Sequence, residues 1–302
     1  MKKAVFSSSR SPAGAPALLR LVRGYAACVL LIAAAFGSAS SALAQTTAWP
    51  IHLPIEDFGS FGRENAEPAE VISHRETAAF EAAVGKMQRF PRYFYSGCHD
   101  RAHAAYLLLP ESLRSKTRKI WVVAPARYTA AVGGTIGLRG TGAAASAVDW
   151  GYHVALAIDT PDGMRVYDAA LHPQGTITRD AWFEIMTIPR LAFWTVSRGA
   201  LYLFNYSGLA TPALNGGEVW NGSANYYHLY NVADRIMPDN LARDAVGVQA
   251  TAGQTCPELI ALATNPQGLL TFLQAGDTAP DGCKVSVSLF NRERERWRQL
   301  LH

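Results

Sequence analysis

The sequence lacks the marks of metal, nucleotide and nucleic-acid chemistry. Its 302 residues hold four cysteines and eight histidines, with no Cys-x-x-Cys pair and no His-Glu-x-x-His run. Ligand spacing for a zinc site is therefore absent, and no metal and no cofactor are expected. Gly133, Gly134, Gly137, Gly140 and Gly142 are scattered through a stretch rich in Gly, Ala, Ser and Thr (130–148), without the spacing of a phosphate loop. That stretch reads as a mobile loop or an insertion. There is no long run of one charge and no internal repeat.

The apolar stretch from Tyr25 to Phe36 is too short for a span of ~20 residues. It follows Lys2, Lys3, Arg10, Arg20 and Arg23 and leads to Ala42-Leu43-Ala44 before Gln45. This is the pattern of a cleaved secretory signal over residues 1–44. The expectation is an exported chain, periplasmic or secreted, with no stable membrane anchor after cleavage. The signal takes five basic residues and no acidic one, which leaves 23 basic and 24 acidic side chains. The basic balance of the full chain thus belongs to the leader and does not point to nucleic acid.

Cys28 leaves with the signal, so Cys98, Cys256 and Cys283 remain. An odd cysteine in an oxidising compartment calls for an explanation. The simplest is a Cys256–Cys283 disulfide with Cys98 kept free for chemistry.

Residues 45–66 read as an extended leader, and 67–88 carry a helical pattern from Val71 to Met87. Ser96-Gly97 is a turn signal ahead of Cys98-His99-Asp100-Arg101-Ala102-His103 and the apolar run to Leu109. Ser96 can cap a helix there, and Gly97 lets the chain turn into it. Cys98 then falls in the first turn, where free N–H groups and the helix dipole lower a thiol pKa. Ile120-Trp121-Val122-Val123 suits a buried strand. Thr178 can cap a helix starting at Arg179. Phe193–Val196, Ala200–Phe204 and Tyr226–Tyr230 read as further strands or packed aromatic segments. Arg235–Val248 is ambiguous, residues 254–265 and 267–274 suggest two short helices, and Arg292 onward suggests a solvated C-terminal helix.

Tyr152 to Ile158 alternates as a strand, with His153, Ala155 and Ala157 on one face. Thr160-Pro161-Asp162-Gly163 is a turn, and Met164 to Asp168 returns as the partner. Pairing Thr160 with Gly163, or Ile158 with Gly163, puts His153 and Asp168 on one face, diagonal in the first register and opposite in the second. A cysteine nucleophile needs a base, and the base needs an orienting group. Cys98, His153 and Asp168 fit those roles. His99 adjoins the cysteine and is not expected to turn back onto its sulfur. His103 reads as a packing or hydrogen-bonding residue, and His172 is the fallback base.

At these positions the sequence resembles the protein-glutamine glutaminases, secreted bacterial enzymes that deamidate glutamine side chains in proteins. The resemblance lies in Gly97-Cys98-x-x-Arg101-Ala102-His103, in Trp150-x-Tyr152-His153-Val154-Ala155, and in Asp168-x-x-Leu171 followed by Thr178-x-x-Ala181-Trp182. It implies a catalytic Cys98, His153 and Asp168, supported by Gly97, Trp150 and Tyr152, with Trp150 shielding the His153–Asp168 pair. It also implies an α+β fold with a transglutaminase or papain-like core, in which a helix-borne cysteine packs on an antiparallel sheet carrying the histidine and aspartate. The implied reaction is thioester-mediated hydrolysis of glutamine amides in a protein or peptide partner, by a monomer. A transglutaminase, a cysteine peptidase or a peptidoglycan amidase could use the same three residues. The organisation expected is a signal (1–44), a leader and helix (45–90), a catalytic core (91–210) and a C-terminal extension packed on it (211–302).

Overall fold

Two apolar runs organise the fold, one at 120–123 and one at 152–160. The structure, a computed structural model, describes residues 50–87, 90–125, 134–140, 148–204 and 230–301, all within the unit Trp49–His302. The expected signal at 1–44, most of the Gly/Ala-rich stretch and residues 205–229 lie outside the described residues.

Among the described residues eight strands form in chain order: β1 (Ile51–His52), β2 (Arg118–Val123), β3 (Gly137–Leu138), β4 (Tyr152–Thr160), β5 (Gly163–Tyr167), β6 (Thr176–Thr178), β7 (Met186–Thr187) and β8 (Phe193–Arg198). Six of them make one sheet in the order β1-β8-β2-β4-β5-β6. It is antiparallel except for the β1–β8 pair. Strand β2 lies between β8 and β4, and Ile120 to Val123 are fully buried. A strand covered on both faces needs a continuous apolar run rather than an alternating one. The β4–β5 hairpin adopts the tight register, with Thr160 opposite Gly163 and Leu156 opposite Tyr167. Gly163 has φ +101°, which favours glycine at that turn.

Helix α1 spans Gly59–Asn65, α2 His74–Gly85, α3 Cys98–Leu108, α4 Glu111–Arg114 and α5 Arg179–Ile185. In α2, Ser73 and Glu76 form a reciprocal capping box. Ala102 of α3 is buried with Val154 of β4, and Ala104 and Ala105 with Leu156 and Ile158. On the other face, Trp182 and Phe183 of α5 pack with Ala155, Ala157 and Val166. The alanines of α3 let the helix lie close on one side of β4, and Ala155 and Ala157 of β4 admit a tryptophan on the other. Thr178 caps α5 through the Ala181 N–H.

The C-terminal part is helical: α6 (Tyr230–Thr251), α7 (Pro257–Ala261), α8 (Pro266–Ala275) and α9 (Lys284–Leu301). Cys256 and Cys283 are joined in a disulfide, and Cys98 is free. The ambiguous 235–248 segment is helix, because Met237, Leu241, Ala242 and Val246 recur at helical spacing and are buried.

Three expectations change. Residues 51–65 are not an extended leader: Ile55–Phe58 is a 3-10 turn running into α1, and Ile55 and Phe58 are buried, with Phe58 against Phe193 and Phe204. Residues 200–204 form no strand, although Leu201, Tyr202 and Phe204 are buried. The chain turns at Gly199, where a Cβ would strike the Thr117 carbonyl. The last helix begins at Lys284 rather than near Arg292, and it is not wholly solvated. Phe290 and Trp297 are buried, with Trp297 stacked on Phe90 at 5.1 Å.

Candidate active site

Cys98 is the first residue of α3, and Gly97 is its N-cap in the left-handed conformation, φ +79°. Ser96 does not cap the helix, contrary to expectation. Its hydroxyl accepts from Arg243 at 2.7 Å and lies 3.4 Å from Asp244 Oδ1. A Cβ on Gly97 would collide with Asp244 Oδ2, so φ and space both demand glycine. Cys98 itself is half-buried.

His153 is buried at the start of β4. Its Nε2 lies 2.6 Å from Asp168 Oδ2. Asp168 stands just beyond the end of β5 and is also buried. The diagonal placement given by the register is what lets ring and carboxylate meet. The same Oδ2 accepts the Trp182 indole N–H at 2.8 Å. Oδ1 accepts the Ala170 and Leu171 N–H groups at 2.9 and 3.0 Å. Burial alone would raise the Asp168 pKa, but His153 and these donors hold it at about 2. With Nε2 engaged, Nδ1 of His153 has no oxygen or nitrogen partner. Besides Asp168, the Cys98 thiol hydrogen-bonds to the imidazole.

Burial lowers the His153 pKa, and Asp168, by charge and hydrogen bond, more than reverses this; with the Cys98 contribution it reaches about 9. Burial raises the Cys98 thiol, and hydrogen bonds from His153 and His99, with their charges, bring it down to about 6. Between those values the arrangement favours thiolate beside imidazolium, the reactive form of a cysteine.

Trp150 stacks on the His153 ring at 4.4 Å and 10°, and its indole N–H donates to the Phe94 carbonyl at 2.6 Å. Tyr152 Oη is 2.8 Å from His99 Nδ1. Contrary to expectation, His99 does reach the neighbouring sulfur. Tyr152 and Asp100, the latter at 3.5 Å from Nε2, draw the ring toward the helix start, and it interacts with the Cys98 sulfur. His103 is buried with Nδ1 2.9 Å from Lys119 Nζ. Burial and the Lys119 charge push its pKa to about 2, so it stays neutral. His172 holds the Gly175 carbonyl at 3.2 Å within its loop.

Several residues here escaped sequence reading. Trp182 was visible only as a motif position. Asp100 is fully buried and accepts from Tyr202 at 2.5 Å and Asn240 at 3.2 Å. Arg101 reaches Asp244 at 2.7 Å and the Ser96 carbonyl at 2.9 Å. The Cys-x-x-Arg spacing was the signal for Arg101; nothing local marks Asp244. Among the described residues, the cluster with ligand-like geometry for a metal is Cys256, Glu258 and Cys283, and two of these are joined as the disulfide.

The chain is thus an α+β protein that brings a thiol, an imidazole and a carboxylate together at a helix start. Residues 78–186 match the glutaminase family, a span that runs from α2 to the start of β7 and includes Cys98, His153 and Asp168. The resemblance read from the motifs is borne out, and the match supports glutaminase or deamidase activity in general terms. No curated protein and no solved structure matches the chain.

Proposed function

We propose that this protein is an exported cysteine-dependent deamidase that hydrolyses glutamine side-chain amides, in proteins or peptides, to glutamate and ammonia. The observation that carries the reading is the His153–Asp168 pair at 2.6 Å beside a thiol whose pKa His153 and His99 lower to about 6.

In this reading the Cys98 thiolate attacks the side-chain carbonyl carbon. The oxyanion is received by N–H groups at the start of α3, which have no intrahelical acceptor. His153 Nδ1–H gives its proton to the departing nitrogen, and ammonia leaves a γ-glutamyl thioester. The neutral imidazole then takes a proton from water as the oxygen attacks the thioester. Collapse expels the thiolate and releases glutamate, with His153 again protonated. Asp168 keeps the proton of Nε2 in place throughout, so Nδ1 is the nitrogen that works. A cavity of about 10 Å³ beside the sulfur is too small for a glutamine side chain. The amide therefore approaches from the solvent side of half-buried Cys98. The disulfide Cys256–Cys283 fits an oxidising compartment and supports the export part of the reading.

The test is purified protein with a glutamine-rich protein substrate. Ammonia release and a mass gain of about one unit per modified site, without cleavage or cross-linking, are expected from amide-to-acid hydrolysis. Cys98→Ala should abolish turnover while the fold persists, and retained activity in that variant would remove the cysteine mechanism. Cut chains would identify a peptidase, cross-linked chains a transglutaminase, and trimmed cell-wall peptides a peptidoglycan amidase.

A further inference from the structure

The backbone leading into Cys98 is held by a helix far along the chain and outside the matched segment. Asp244, on α6, is fully buried. Its Oδ2 accepts from Arg101 at 2.7 Å, and its Oδ1 accepts from Arg243 at 2.6 and 3.0 Å. Both guanidinium groups reach back to Ser96: Arg101 to the carbonyl at 2.9 Å and Arg243 to the hydroxyl at 2.7 Å. Asp244 Oδ2 also lies against Gly97, where a Cβ could not fit. The two residues before the cysteine are thus gripped at a carbonyl, a hydroxyl and an α-carbon. A second carboxylate, Asp100, is tied to the same helix through Asn240.

We infer that Asp244 is a positioning residue for Cys98, and that α6 is part of the active site although it lies outside the family segment. The inference rests on Cys98 being the nucleophile proposed above. Two guanidinium groups and one carboxylate are a costly set to bury, and such sets are retained where they fix a geometry. Here that geometry is the left-handed turn at Gly97, which aims the first residue of α3. If the turn relaxes, the sulfur loses contact with His153 and His99, its two hydrogen-bond partners.

The charged groups facing Asp244 are Arg101 and Asp100 on α3 and Arg243 on its own helix, with Tyr93 close by. This makes the test directional. Replacing Asp244 by Asn removes a negative charge beside the turn that leads into Cys98. A purely electrostatic role would move the thiol titration down. A purely structural role would lower thermal stability and leave the titration of the folded protein in place. Positioning predicts an upward move, toward the ordinary thiol value, because partners are lost.

The experiment follows iodoacetamide alkylation of Cys98 against pH, with ammonia release, in the full folded chain carrying Asp244→Asn. The expected result is an alkylation midpoint at least one unit above wild type and a kcat at least tenfold lower, with KM changed far less. A midpoint that stays or falls, with kcat intact, overturns the inference. Ser96→Ala deletes only a hydroxyl and covers the case in which Asp244→Asn does not fold. It should move both readings the same way by a smaller amount, and wild-type readings there count against positioning. Alkylation is independent of substrate, so a failure of the deamidase reading, seen as activity surviving Cys98→Ala, is told apart from a failure of this one.

Discussion

Replacing Asp168 by Asn tests the relay at a residue placed behind the base. The carboxylate accepts four hydrogen bonds: two backbone N–H groups at Oδ1, and the His153 ring and Trp182 indole at Oδ2. An asparagine can keep the first two through its carbonyl oxygen. Its NH2 then meets an indole N–H, which can only donate, and an imidazole nitrogen that must become an acceptor. The ring proton moves to Nδ1, the nitrogen the mechanism needs free in its neutral form. The charge effect points the same way. The rise of His153 from 6.5 to about 9 corresponds to roughly 3 kcal/mol favouring imidazolium, with Asp168 the main source. Without it, burial drives the ring neutral and the thiol climbs back toward its ordinary value. The alkylation midpoint of Cys98 should rise from about 6 by two units or so, and kcat/KM for ammonia release should fall ~10²–10⁴-fold.

The same variant has a stability signature. His153 has a raised folded pKa, so its share of stability is fully present below pH 6.5 and is lost as pH rises through about 9. Asp168 has a lowered one, so its share is present above pH 3.8 and is lost as pH falls through about 2. The thiol, also lowered, contributes nothing once pH has dropped below about 6. Between about pH 4 and 6 the His153 and Asp168 shares act alone, and there the urea midpoint of Asp168→Asn should fall furthest below wild type. An unchanged alkylation midpoint near 6, with kcat/KM within about twofold of wild type, would refute the relay.

Two more outcomes are expected. For the wild-type protein, kcat/KM for ammonia release should be bell-shaped, rising as thiolate forms near pH 6 and falling as the imidazolium is lost near pH 9. The apparent values belong to the pair; a single rising limb centred near 9 would show that Cys98 is not activated. Replacing both Cys256 and Cys283 by Ser should cost ~3–4 kcal/mol by loop entropy, read from urea unfolding, with turnover of the folded protein preserved.

Local signals carried much of the fold. Ile120–Val123 read as a buried strand because a strand covered on both faces must be apolar throughout, and α5 read as a helix from its Thr178 cap. The 45–66 reading misled because Pro50, Pro54 and Gly62 suggested a leader, while Ile55 and Phe58 found a partner in Phe193, far along the chain. The C-terminal helix misled for a like reason. Its Arg/Glu run is only partly solvated, with Arg292, Glu295 and Arg298 exposed, and Phe290 and Trp297, seven residues apart, share a buried face.

At the site, the sequence by itself singled out Cys98, His153 and Asp168 as candidates, the glycine before the cysteine and the parity that puts His153 and Asp168 on one face. Those follow from periods of two and from turn chemistry, which act over a few residues. Tertiary structure alone decided which of two registers the hairpin took, that His99 turns toward the sulfur, and that Trp182 gives its N–H to Asp168. It also decided that Asp244, nearly 150 residues after the cysteine, grips the turn before it. Buried carboxylates and guanidinium groups take partners wherever the packed chain offers them, and no pattern within a window of sequence records where that will be.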